Sequence, residues 1–291
     1  MSTETSRTAP DVAAAETFVA ATGRVLDRHR FAFHLRGATA GPVLRALEAY
    51  RTDDGGYGHG LESDLRTPLA QPGHVLTAIE HLDEVGARPD EDVLDWLDRA
   101  VAPDGSIPFV YNSAFDAPHA PWWSPQPDPP PSLHMAAALA APLLRMRVEH
   151  PVADRLSAYC WDRLAHLDLG AGYEVRFVVG FLDAAPDRAR ADAALREIGE
   201  HVGPEGLRVR GGTEGEAQRP LDLAPWPRRP ARLLFDQATI DAELGALAGR
   251  QHDDGGWDFD WLRWNEAVSC EWRGRVTVDA LRILQANDRL G

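Results

Sequence analysis

A short loop early in the chain concentrates side chains that can exchange protons. One histidine and two carboxylates, His59, Glu62 and Asp64, lie close together there, and glycines flank the histidine on both sides. Such groups act as general acids, general bases or metal ligands. The alternative is a solvated turn in which a carboxylate pairs with Arg66 or caps the next helix. We predict that these three residues are catalytic.

A second candidate lies near the C-terminal end, where Asp258 and Asp260 alternate with aromatic residues. Aromatic faces stabilise cations or stack on sugar rings, and either carboxylate could supply the acid. We therefore predict that both aspartates are catalytic. For Trp257, in contrast, we favour packing between repeats. The substrate contacts expected in this segment are Trp264, Glu271, Trp272 and Arg273.

A third candidate is the proline-rich segment 103–132, which lacks helix signals. A long irregular segment inside a compact domain is often a lid or a binding loop. The alternative is a stiff connector that covers apolar core. The substrate contacts expected here and at the first loop are Tyr57, Tyr111, His119, Trp122 and Trp123. A second proline-rich loop, 203–232, has no clear acid–base set.

The candidate loops belong to a repeat. Asp53-Asp54-Gly55-Gly56-Tyr57 and Asp253-Asp254-Gly255-Gly256-Trp257 both follow leucines at helical spacing. Weaker copies at Asp104 and Glu205 give a period of roughly fifty residues, and the copy expected near Asp154 is degraded. Such a period indicates repeated helical hairpins, because glycine tolerates the left-handed conformation that ends a helix.

Helical periodicity dominates the rest of the chain. It predicts helices over 12–30, 93–101, 132–148, 153–167, 189–202, 238–250 and 276–289, with another that starts at Pro72. No segment shows the alternation typical of a strand. About five or six hairpins fill this length, and a closed ring leaves no unpaired terminal repeat. The fold prediction is all-α, a single α/α-toroid domain over 1–291.

Three motifs resemble those of known repeat proteins. Gln251-x-x-x-Gly255-x-Trp257 has the spacing of the QW repeats of squalene–hopene cyclases, and Asp54-Gly55-Gly56-Tyr57-Gly58 resembles turns of protein prenyltransferase β subunits. Segment 54–68, together with Glu271-Trp272-Arg273-Gly274, looks like uncharacterised actinobacterial prenyltransferase-repeat proteins. The resemblance implies the terpenoid cyclase/protein prenyltransferase-like toroid and an isoprenoid substrate in its cavity.

The catalytic motifs of those relatives are missing. The nearest approach to the D-x-D-D acid motif of class II cyclases is Asp258-Phe259-Asp260-Trp261, which lacks the final acid. No D-D-x-x-D pair is present to bind diphosphate through magnesium. Cys270 does not belong to the Asp-x-Cys pair that holds zinc in protein prenyltransferases. We therefore predict no cofactor and no metal site, with magnesium and zinc left open.

Composition narrows the range of partners. The net charge is -15, which repels the phosphates of nucleic acids. The chain has two cysteines and no uninterrupted apolar stretch of about eighteen residues, so we expect neither a disulfide scaffold nor an integral membrane segment. The N-terminus lacks a signal-peptide pattern. We expect a cytoplasmic protein with a small apolar substrate; the oligomeric state is left open.

Three functions follow as hypotheses. The first is a terpenoid cyclase or prenyltransferase-like enzyme that uses acid–base or carbocation chemistry. The second is a carbohydrate-active toroid enzyme, such as a glycoside hydrolase or lyase, with paired carboxylates. The third is a non-catalytic binding or scaffold protein. The lining of the cavity discriminates between the first two, because aromatic and aliphatic walls favour isoprenoids and many polar groups favour glycans.

Overall fold

The computed structural model describes residues 9–210 and 212–290, and most of the regular structure in these ranges is helical. The helices are α1 Val12–Thr22, α2 Val25–Arg36, α3 Gly41–Glu48, α4 Pro72–Glu84, α5 Glu91–Ala100, α6 Leu133–Arg145, α7 Pro151–Arg163, α8 Gly172–Ala184, α9 Arg188–Gly199, α10 Pro220–Leu223, α11 Gln237–Gly249 and α12 Glu266–Ala286. One antiparallel pair, β1 Leu207–Arg208 and β2 Ala217–Gln218, is the only sheet among the described residues. The all-α prediction is confirmed.

Several boundaries differ from the predicted ones. The predicted helix 12–30 is two helices, because the chain turns extended at Gly23, where a Cβ atom would lie 2.8 Å from the Val19 carbonyl oxygen. Helix α8 was not predicted, since its valine- and phenylalanine-rich run fits a strand as well as a helix. The predicted helix 276–289 begins earlier, at the Asn265 cap, whose side chain accepts the Val268 N–H.

The chain divides into two compact units. One consists of 1–39 and 199–291, and the other of 40–198. The core of the first is built from α1, α2, α11 and α12 around Phe18, Leu244 and Leu281. In the second, α6 packs against α4, α7 and α8. The single-domain assignment stays a prediction.

The repeated motifs form one kind of turn. In the two strong copies the aspartate accepts the backbone N–H two residues further on: Asp54 from Gly56 at 3.2 Å and Asp254 from Gly256 at 3.0 Å. The central glycines have left-handed φ angles: 87° at Gly55, 85° at Gly105, 82° at Gly206 and 91° at Gly255. They do not end the helices as predicted, because α3 already ends at Glu48 and α11 at Gly249. A related turn replaces the degraded copy, with Asp168 accepting the Gly170 N–H at 2.9 Å.

Each of three turn glycines lies against a carbonyl group of a helix. A Cβ atom on Gly55 would come within 2.8 Å of a carbonyl oxygen in α5, and Gly105 and Gly255 meet α7 and α1 even more closely. The last turn therefore packs against α1, inside the first unit. Gln251 strengthens this contact: it accepts the Asp11 N–H at 2.7 Å and donates to the Asp11 carbonyl at 2.8 Å.

Candidate active site

The carboxylates of the first loop are buried. Glu62 is 9% exposed and Asp64 3% exposed, whereas His59 is exposed and has a left-handed φ of 55°. The loop keeps its shape partly through Gly58, which packs tightly on the Pro68 carbonyl group. The structure thus brings Glu62 and Asp64 together inside the protein and leaves His59 at its surface.

A histidine that the sequence analysis did not select stands beside Glu62. His74 lies in the first turn of α4 and is fully buried, and its Nδ1 atom accepts the Glu62 N–H at 2.9 Å. Because Nδ1 accepts, the neutral ring carries its proton on Nε2. Thr77, one turn along α4, donates its hydroxyl to Glu62 Oε2 at 3.3 Å, and the Asp64 N–H donates to Oε1 at 3.3 Å. The predicted helix start at Pro72 was the only signal that His74 faces this loop.

The proline-rich segment 103–132 is anchored on the same loop. The Ala120 N–H donates to the Asp64 carbonyl at 2.8 Å, and the Arg66 N–H donates to the Pro118 carbonyl at 2.9 Å. This contact pairs His119 with Leu65 along the backbone. The buried Gln71 side chain holds the other end, accepting the Tyr111 N–H at 2.8 Å. The segment therefore covers the loop that carries the buried carboxylates.

A row of aromatic rings extends from this cover to α6 and α8. Trp123 is buried against Gly73, the residue before His74, and stacks on Phe109 with centroids 4.4 Å apart. Phe109 contacts His134 at 5.0 Å, and His134 stacks on Phe177 at 4.2 Å. Trp122, which precedes Trp123 in the sequence, is 39% exposed.

The two tyrosines among the predicted substrate contacts are built into the scaffold. Burial raises the pKa of Tyr57 to about 12, and the Arg51 guanidinium lies 4.9 Å above its ring centroid. Burial also raises the pKa of Tyr111 to about 12, and its hydroxyl donates to the Ala100 carbonyl at 3.3 Å. Both hydroxyls are therefore protonated at neutral pH and are poor bases.

In the first unit, each aspartate of the second candidate faces an arginine. Asp258 pairs with Arg263, and Asp260 Oδ2 lies 2.8 Å from Arg219 Nη1. Burial nevertheless raises the pKa of Asp260, because desolvation of its carboxylate outweighs the effect of Arg219. A carboxyl with a raised pKa fits an acid, so Asp260 stays a candidate.

The remaining residues predicted in this unit mostly hold helices together. Glu271 pairs with Arg24, the residue before α2, and Arg273 donates to both Asp254 oxygens, at 2.8 and 2.9 Å. Trp272 meets the Trp261 ring edge-on at 5.0 Å. Trp264 is half-buried. None of these contacts involves a carboxylate of the second candidate.

Trp257 packs as the sequence analysis favoured. It is 2% exposed, and its indole N–H donates to the Leu247 carbonyl at 2.8 Å.

Across residues 9–210 and 212–290, no cluster of three or more histidine, cysteine or acidic side chains could hold a metal ion. In the same ranges, no helix has the length and apolar character required to cross a bilayer. The two cysteines are unpaired: Cys160 is buried, and burial raises its pKa to about 12, while Cys270 is exposed.

Comparison with known proteins supports the fold alone. No family model matches the chain, and no curated protein matches it. The crystal structure of a protein from Actinoplanes is similar to it over 95% of this chain and 89% of that chain, with a TM-score of 0.55 and 18% sequence identity. The chain therefore shares a fold with that protein at low sequence identity.

Proposed function

We propose that this protein is an enzyme of the terpenoid cyclase or prenyltransferase-like type, acting on an apolar isoprenoid substrate by acid–base chemistry. The observation that carries the proposal is the buried group of Glu62, Asp64 and His74 beneath an aromatic cover. A buried carboxylate pair beside a histidine is costly for stability, so its presence favours a role in chemistry.

The hydrogen bonds suggest how the group would work. The Glu62 N–H occupies Nδ1 of His74, so Nε2 is the ring atom that can pass a proton to or from a substrate. Thr77 and the Asp64 N–H orient the Glu62 carboxylate, which would stabilise positive charge that develops nearby. His74 thereby takes the place of His59 in the proposed set.

The aromatic rings of the cover favour an apolar substrate over a glycan. The loop and α4 also bury the polar side chains of Gln71 and Thr77, and the cover adds the aromatic rings of Trp123 and Phe109. Aromatic faces can stabilise a carbocation through cation–π attraction.

We also propose that the helical hairpins close into an α/α toroid. The contact between the last glycine turn and α1 supports closure, because it repeats the contacts that earlier turns make with α5 and α7. A ring would give the first and last hairpins neighbours on both sides.

Turnover by variants tests the proposed function. Wild-type protein would be assayed with geranyl, farnesyl and geranylgeranyl diphosphate, with squalene, and with cyclic isoprenoids that carry a carbonyl or hydroxyl group. On whichever substrate reacts, Glu62→Gln and His74→Gln should lower kcat at least about 100-fold, because each removes part of the proton-transfer set. Asp128→Asn, an exposed carboxylate of the covering segment, is the matched control and should stay within about twofold of wild type.

Two outcomes would overturn the proposal. Full turnover by both variants would remove Glu62 and His74 from the chemistry. Turnover of oligosaccharides but not of any isoprenoid would favour the carbohydrate-active alternative, and binding without turnover would favour the non-catalytic one.

A further inference from the structure

A wall of aromatic rings forms where α6 and α8 begin. The His134 ring stacks on Phe177 with an interplanar angle of 23° and is parallel to Tyr173 within 8°, with centroids 6.5 Å apart. Phe109 closes the row from the covering segment. Each of these four rings keeps part of its surface accessible, although aromatic side chains in a filled core bury nearly all of it.

His134 is both enclosed and reachable. Burial lowers its pKa to about 3, with a smaller contribution from the Arg176 guanidinium, so the ring is neutral at physiological pH.

Two polar groups in this wall lack partners. Within the described ranges, the His134 ring makes aromatic contacts but no hydrogen bond. On the other side of Phe109, the buried Trp123 indole N–H also has no acceptor. The Trp123 N–H is buried, and a buried polar group without a partner costs about 1–3 kcal/mol, whereas His134 is half-buried. The Trp123 indole N–H, which is a donor, and the neutral His134 imidazole, which has one donor and one acceptor, lie along the same row of aromatic rings.

We propose that this aromatic wall binds a neutral ring of the ligand that carries an oxygen, either a carbonyl or a hydroxyl group, with His134 as its hydrogen-bond partner. The ring would stack on the aromatic side chains, and the oxygen would satisfy the imidazole. The inference deepens the proposed function and rests on it for the identity of the substrate: it makes that substrate an oxygen-bearing cyclic compound.

Paired probes test the inference. Equilibrium dialysis would compare 2-acetonaphthone, which has a ring and an acceptor, with 2-ethylnaphthalene, which has nearly the same shape and no oxygen. Wild-type protein should bind the ketone about fivefold to tenfold more tightly. His134→Phe keeps a flat ring and should remove this preference, whereas Trp161→Phe on α7 should keep it. The preference should persist between pH 8 and pH 5, since His134 stays neutral there.

The result that would overturn the inference is equal affinity of wild-type protein for both probes, or no binding of either. This comparison needs no variant, so misfolding of His134→Phe cannot rescue or defeat it. Glu62→Gln separates the two proposals, because it should lose turnover and keep the preference for the ketone. If wild-type protein turned over an isoprenoid but bound both probes equally, only the proposed aromatic site would be refuted.

Discussion

Replacing Gly55 with alanine should cost far more stability than the same change at another left-handed glycine. Gly55 has a φ of 87°, and Gly86 has a φ of 71°, so alanine at either position pays about 1–2 kcal/mol for the backbone conformation. A Cβ atom at Gly86 would meet nothing within 4 Å. At Gly55 it would lie 2.8 Å from the Asp92 carbonyl oxygen, against an ordinary contact of 3.4 Å or more.

The turn and α5 would therefore have to separate by several tenths of an ångström at Gly55. Such overpacking typically costs a further 1–3 kcal/mol. We expect Gly55→Ala to lower the free energy of unfolding by about 2–5 kcal/mol and Gly86→Ala by about 1–2 kcal/mol.

Urea unfolding followed by circular dichroism would give both values, with equal m-values as the check that both variants unfold alike. If the two variants lost the same unfolding free energy, Gly55 would be needed only for its left-handed backbone, and its close packing against α5 would not contribute to the difference.

Three further predictions concern single side chains. Gln251→Ala removes two hydrogen bonds to Asp11 and should cost about 2 kcal/mol in chemical unfolding, against less than about 0.5 kcal/mol for the exposed Gln237→Ala. The pKa of His134 is lower in the folded protein than its unfolded value of 6.5, so the unfolded state binds the proton more readily. Stability is therefore lost as the pH falls below 6.5. In the same assay, wild-type protein should lose about 2 kcal/mol of unfolding free energy by pH 5 relative to His134→Phe. Arg30→Met strands the buried Asp27 carboxylate and should cost about 3–5 kcal/mol at pH 7; a loss under 1 kcal/mol would mean that the ion pair is dispensable.

The fold class could be predicted because its signals are local. Glycine at a turn with left-handed backbone is a property of the residue itself, and the copies at Gly55, Gly105 and Gly255 adopt that geometry. Apolar spacing placed most helices within a few residues. Helix α8 was not predicted because the apolar residues in its middle follow one another without helical spacing.

The site was predicted only in part. Glu62 and Asp64 were selected because they are clustered in the sequence, and the structure buries both. His74 was not selected, because only the fold brings the first turn of α4 against the loop. His59 was selected because glycines flank it. In the structure His59 has a left-handed backbone, but its side chain is exposed, whereas the two carboxylates are buried.

The most direct measurement is a crystal structure of Glu62→Gln protein with its unreacted substrate bound. The proposed function predicts that the reacting atom lies within about 4 Å of His74 Nε2, beneath the segment that Trp123 closes. A substrate bound instead against Asp258 and Asp260, with nothing near His74, would contradict it.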